Sequence, residues 1–184
     1  LGEPAYIAGL MLLPGGLLSG VLAPFVGMAY DKVGPRVLIL PGAIIVTGAM
    51  AAFSTLGTQT PVWLVIGMHV LLNIGTALMM TPLMTTALGA VKPSLYPHAS
   101  AIVNTLQQVS GAAGVALFVT LFSVAAEATG GAPAASLAGG VGVAFGVGAA
   151  ISALGIVLAL FLRKPDHAAM ASGADADAEE VTAR

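Results

Sequence analysis

Val37-Leu38-Ile39-Leu40-Pro41-Gly42-Ala43-Ile44-Ile45-Val46-Thr47-Gly48-Ala49-Met50-Ala51-Ala52 contains no charged residue, and Thr47 is its only hydroxyl. The apolar residues cover every side of a helix drawn through it, as lipid requires, and do not alternate with polar ones as a membrane strand of about ten residues would. Outward from this stretch the chain stays uncharged from Arg36 to Lys92. That interval of roughly 55 residues accommodates two spans of about 20 residues and a turn. Gly57-Thr58-Gln59-Thr60-Pro61 supplies the turn.

Composition extends this reading to most of the chain. Of 184 residues, 58% are hydrophobic and 8% charged, with a mean hydropathy of +0.99. A soluble surface normally draws on about 25% charged residues, so lipid must replace water as the outer solvent. Net charge is −2, and no Lys/Arg cluster marks a nucleic-acid partner. The absence of Cys excludes disulfides and thiolate chemistry.

Two more uncharged stretches flank Glu127 and the Gly130-Gly131-Ala132-Pro133 loop. The expected fold is therefore all-α, a polytopic bundle of five transmembrane spans near 5–30, 37–56, 62–83, 99–126 and 141–162. An acidic, Ala-rich tail over 166–184 is expected to be disordered and cytoplasmic. With alternating spans, Lys32, Arg36, Lys92, Arg163, Lys164 and Arg184 fall on one side, which should be cytoplasmic. Glu3 and Glu127 fall opposite, so the N-terminus is expected outside and the C-terminus inside. An external start without an initiator Met or a basic leader suggests that earlier helices precede Leu1.

Small residues recur at helix-facing intervals, at Gly16 and Gly20, Gly111 and Gly114, and Gly142 and Gly146, as expected of packing faces in lipid. Asn104, Gln107 and Gln108 share one face of the fourth span. They read either as interhelical hydrogen-bonding groups or as cavity lining. In the third span, His69 and Asn73 lie one turn apart. His69 reads either as a proton carrier, since histidine ordinarily titrates near pH 6.5, or as a hydrogen-bonded histidine near the outer interface. Met79 and Met80 read as packing. No Asp or Glu falls inside a span, and neither a catalytic constellation nor a metal-ligand set is present. Neither enzymatic activity nor a cofactor is expected.

The turn after the first span reads Gly27-Met28-Ala29-Tyr30-Asp31-Lys32-Val33-Gly34-Pro35-Arg36. Gly34 permits a positive φ and Pro35 ends the preceding helix. The segment resembles the Gly-x-x-x-Asp-Arg/Lys-x-Gly-x-Arg/Lys loop of the major facilitator superfamily. The approach Ala8-Gly9-Leu10-Met11-Leu12-Leu13-Pro14-Gly15-Gly16 is similar to that superfamily as well. So are Met80-Thr81-Pro82-Leu83-Met84-Thr85-Thr86-Ala87-Leu88 and Asn104-Thr105-Leu106-Gln107-Gln108-Val109-Ser110-Gly111-Ala112-Ala113-Gly114. Together they resemble the C-terminal part of a 14-span drug:proton antiporter of the EmrB/QacA kind.

That resemblance implies the last five helices of a half that also has a first helix. It implies a conformational latch built from Gly27, Asp31, Lys32, Gly34 and Arg36, with the acid favouring the outward-open state. It further implies small lipophilic or cationic substrates, the proton gradient as energy source, and an N-terminal half as partner that carries the coupling carboxylate. The chain alone would then be inactive. A competing reading is a stand-alone membrane scaffold or oligomerising subunit whose Gly-rich faces pair. Either way, the chain should leave membranes only with detergent. A polypeptide that stayed monomeric and folded in plain buffer would overturn the lipid-embedded reading.

Overall fold

The computed structural model describes residues 5–129 and 133–161. Five long helices follow one another: α1 (Ala5–Val33), α2 (Pro35–Phe53), α3 (Val62–Leu88), α4 (Tyr96–Thr129) and α5 (Pro133–Leu160), with one 3₁₀ turn at Pro93–Leu95. All five are long and apolar enough to cross a membrane, and no strand occurs among the described residues. The expected all-α transmembrane bundle is what forms. Glu3, Arg163, Lys164 and the tail from 166 lie outside the described residues.

The ends of the helices follow local chemistry. α1 runs through Asp31 and Lys32 and stops at Gly34, whose φ of 81° lies where side chains other than glycine are strained. Pro35 opens α2 at a position that needs no N–H. What reads as a loop in the sequence is therefore a one-residue break, with Asp31 and Lys32 in the last turn of α1. α2 ends at Phe53, where Ser54 Oγ and Thr55 Oγ1 donate to the carbonyls of Ala51 and Ala52, each at 2.7 Å. α3 passes through Pro82 and ends five residues beyond the expected Leu83. Thr85 and Thr86 hydroxyls donate back to the carbonyls of Thr81 and Pro82 at 3.0 and 2.7 Å, the kind of local satisfaction that lets proline sit inside a membrane helix. α5 begins at Pro133 and not near 141, because Pro suits a first helical position and the Ala-rich turn after it favours helix.

In space the helices form a row, α1, α3, α2, α5, α4, with α3 packed on both α1 and α2, and α5 packed on both α2 and α4. The tightest crossing joins α2 to α3. A Cβ on Gly42 would lie 2.9 Å from the Gly75 carbonyl oxygen, and one on Gly75 would lie 2.9 Å from that of Gly42. Near the Gly34 turn, buried Val26, Tyr30 and Leu38 form a cluster backed by Leu22, Ala29 and Leu78. Further along the row, Phe53 stacks on Phe145 at 4.7 Å between ring centres, and Phe118 meets Phe145 edge-on at 5.1 Å.

Of the glycine pairs singled out by spacing, Gly142 and Gly146 face Ser54, whereas Gly16, Gly20, Gly111 and Gly114 face open space. The close approaches belong instead to Gly15, Gly42, Gly75, Gly139 and Gly140. Gly42→Val should therefore destabilise the detergent-solubilised chain by about 1–3 kcal/mol through overpacking. Gly16→Ala should leave it within about 0.5 kcal/mol. Denaturation midpoints of the two variants check this.

Candidate functional site

Three groups of polar residues interrupt the apolar helices. The first lies where α1 meets α2. Asp31, Lys32 and Arg36 are exposed, while Gly34 and Pro35 beneath them are buried. Among the described residues none of the three charged side chains makes a hydrogen bond or ion pair, so Arg36 does not hold Asp31. Gly27 faces open space one turn earlier. The turn is anchored from below by Tyr30, which is 5% exposed and whose hydroxyl lies 3.4 Å from Thr86 Oγ1 on α3. Asp31 is thus fixed in position by the backbone and left open as an acceptor.

The second group is on α4. Asn104, Gln107 and Gln108 sit in an unbroken run of exposed residues from 104 to 117. α4 rests on α5 through its second half. There, a Cβ on Gly140 would come within 2.6 Å of the Phe122 carbonyl oxygen, and one on Gly139 within 2.5 Å of Thr129 Oγ1. The first half carries most of that exposed run. None of the three carboxamides bonds another helix among the described residues, so they do not tie this bundle together. Further along α4, between α2, α4 and α5, opens an apolar cleft of about 280 Å³ lined by Met50, Leu117, Phe118, Phe145 and Ile151.

The third group joins α1 to α3. Asn73 Nδ2 lies 3.0 Å from His69 Nε2 and donates to the His69 carbonyl oxygen at 2.9 Å. Ser19 Oγ on α1 donates to Asn73 Oδ1 and to the Asn73 carbonyl oxygen, each at 3.3 Å. Gly15 makes the fit possible, since a Cβ there would lie 2.6 Å from Asn73 Nδ2 and 2.9 Å from His69 Cδ2. His69 and Asn73 are legible in the sequence as a one-turn pair. Gly15 and Ser19 are not, although their four-residue spacing places them on one face of α1. Among the described residues no group of His, Asp and Glu could hold a metal ion.

Comparison with known proteins agrees with this architecture. The family model described as Major Facilitator Superfamily matches residues 1–115. The chain belongs to that superfamily. It is 40% identical over 168 residues to the lincomycin resistance protein LmrB of Listeria monocytogenes, covering 87% of this chain and 36% of that protein. To LmrB of Bacillus subtilis it is 36% identical over 174 residues, covering 89% and 36%. To the puromycin resistance protein pur8 of Streptomyces alboniger it is 34% identical over 155 residues, covering 77% and 31%. The chain thus spans about a third of the length of these relatives.

Tyr30 is the packed partner of the charged turn, so its hydroxyl can be tested directly. Tyr30→Phe should lower stability by about 0.6 kcal/mol, the average for a hydrogen bond between membrane helices. Gly34→Ala should cost more, about 1–3 kcal/mol, because a φ of 81° with a ψ of 175° is a conformation essentially reserved for glycine. Unfolding of both variants in mixed detergent would rank them.

Proposed function

We propose that this chain is the C-terminal part of a proton-coupled drug exporter of the bacterial cytoplasmic membrane, working by alternating access together with further helices. The observation that carries the proposal is the bare amide face of α4 in a chain of this superfamily. Three carboxamides turned to hydrocarbon would leave donors and acceptors unmet, at several kcal/mol for each unsatisfied group. That face belongs against water or against protein. Relatives about three times as long as the match have chain enough for a second wall, and we assign Asn104, Gln107 and Gln108 to the lining of the pathway between the two.

Membership of the superfamily supports rocking of one helix bundle against another around a central site. The apolar cleft beside α4 suits lipophilic or cationic compounds, and relatives named for lincomycin and puromycin resistance favour antibiotics as the substrate class. Lys32, Arg36 and Lys92, which fall at the same ends of their helices, support a cytoplasmic assignment of that side, with the N-terminus outside and the C-terminus inside. Asp31 then serves as a latch that accepts hydrogen bonds from the opposing half and not from Arg36. Asp31 and Glu127, the carboxylates of the described helices, both lie in last turns, and we assign the main proton-coupling acid to the remainder of the transporter.

A chimera tests this reading. The chain should replace the matching C-terminal third of the Listeria lincomycin resistance protein and restore lincomycin tolerance to a sensitive host, whereas the chain alone should not. Within an active chimera, Asp31→Asn should lower efflux more than membrane abundance. Replacing Gln107 and Gln108 by Leu should reduce efflux about tenfold if one hydrogen bond is lost from the transport cycle. A chimera that reaches the membrane intact yet confers no tolerance would refute the assignment.

A further inference from the structure

The hydrogen bonds around His69 determine where its proton sits. The His69 carbonyl oxygen can only accept, so the atom of Asn73 that faces it at 2.9 Å must be the amide nitrogen. An amide nitrogen can only donate. His69 Nε2, 3.0 Å from that nitrogen, must therefore offer its lone pair, and the neutral ring carries its hydrogen on Nδ1.

We propose that His69 is a proton-binding site whose loading breaks its bond to Asn73 and loosens α1 from α3. A proton arriving from water would add to the Nε2 lone pair and place a ring N–H opposite the amide N–H, donor against donor. Turning the amide over does not relieve this. It would set Oδ1 against the His69 carbonyl oxygen, acceptor against acceptor, and would exchange the bond that Ser19 donates for one that it accepts. The imidazolium and the Asn73 bonds as they stand therefore exclude each other, and the Asn73 side chain has to turn or leave its place. It cannot do so unnoticed by α1, because the backbone at Gly15 sits directly on Asn73 and His69.

No charge among the described residues competes for this role. On α1, Tyr30, Asp31 and Lys32 begin about 16 Å further along the helix than Ser19, at 1.5 Å per residue. On α2, Arg36 lies at that same distant end, as do Tyr96 and His98 at the start of α4. Glu127 is on α4, which packs on α5 and only grazes α3. The groups seen against His69 are the neutral Asn73, itself bonded to Ser19, and the backbone of Gly15.

The proposal deepens the proton-coupled reading by adding a protonation site within this chain, and its test does not depend on transport. The 184-residue chain, ¹⁵N-labelled at His and Asn and held in lipid nanodiscs, would be titrated between pH 5 and 8, with His69→Gln identifying the ring signals. At the basic end His69 should show the Nδ1–H tautomer. On acidification, the Asn73 side-chain amide should shift with the same midpoint as the ring. Spin labels at Leu13→Cys and Leu71→Cys, in a chain with no native Cys, should report a changed α1–α3 distance distribution at low pH that His69→Gln abolishes. An Nε2–H tautomer at high pH would overturn the proposal. So would an Asn73 amide indifferent to the titration, or identical distances at both pH extremes. A lincomycin chimera that fails while these signals appear would count against the exporter reading alone.

Discussion

Lipid gives two apolar helices no reason to leave it for one another, since its tails are as apolar as the side chains it surrounds. What joins helices here is close backbone approach, and the approach at Gly42 and Gly75 sets the rest. With α2 and α3 in near contact there, the Gly34 turn must reverse the chain within one residue, which brings the end of α1 onto α3. The Val26, Tyr30 and Leu38 cluster then closes over that corner. α5 is held to the other side of α2 by a different device, the stacked rings of Phe53 and Phe145 with Ser54 against Gly142.

The polar groups divide according to what surrounds them. His69, Asn73 and Ser19 satisfy one another inside the α1–α3 seam. Asn104, Gln107 and Gln108 satisfy nothing in this bundle and stand on its outside. In a hydrocarbon solvent those are different physical situations. The first cluster fixes helices to each other; the second calls for a neighbour or for water. Asp31 belongs to neither, because it is exposed beyond the long apolar runs and is positioned by buried Gly34 and Pro35.

The sequence was informative where a single element carries its own constraint. Charge-free intervals between Arg36 and Lys92 and on either side of Glu127 marked the spans, because a charge inside one is costly whatever packs beside it. Gly34 and Pro35 likewise announced their turn through backbone geometry alone. It was uninformative where two distant segments must meet. Nothing in the spacing of Gly16 and Gly20 distinguishes them from Gly42 and Gly75, since only the opposing helix decides which glycine is crowded. Ser19 and Asn73 are 54 residues apart, so their bond could not be read from either. The early start of α5 was hidden for another reason: residues 133–140 are small and only weakly apolar, and their helical preference is clearer than their hydropathy.

The attachment of α4 gives it the mechanics of a lever. Its second half is clamped where Phe122 meets Gly140, while Gln107 lies about 22 Å away along the axis. A tilt of about 10° at that fulcrum displaces the amides by about 4 Å, more than the length of a hydrogen bond, while the atoms at the clamp barely slide. A helix held in this way can make and break polar contacts at its free end while its clamped half stays seated on α5.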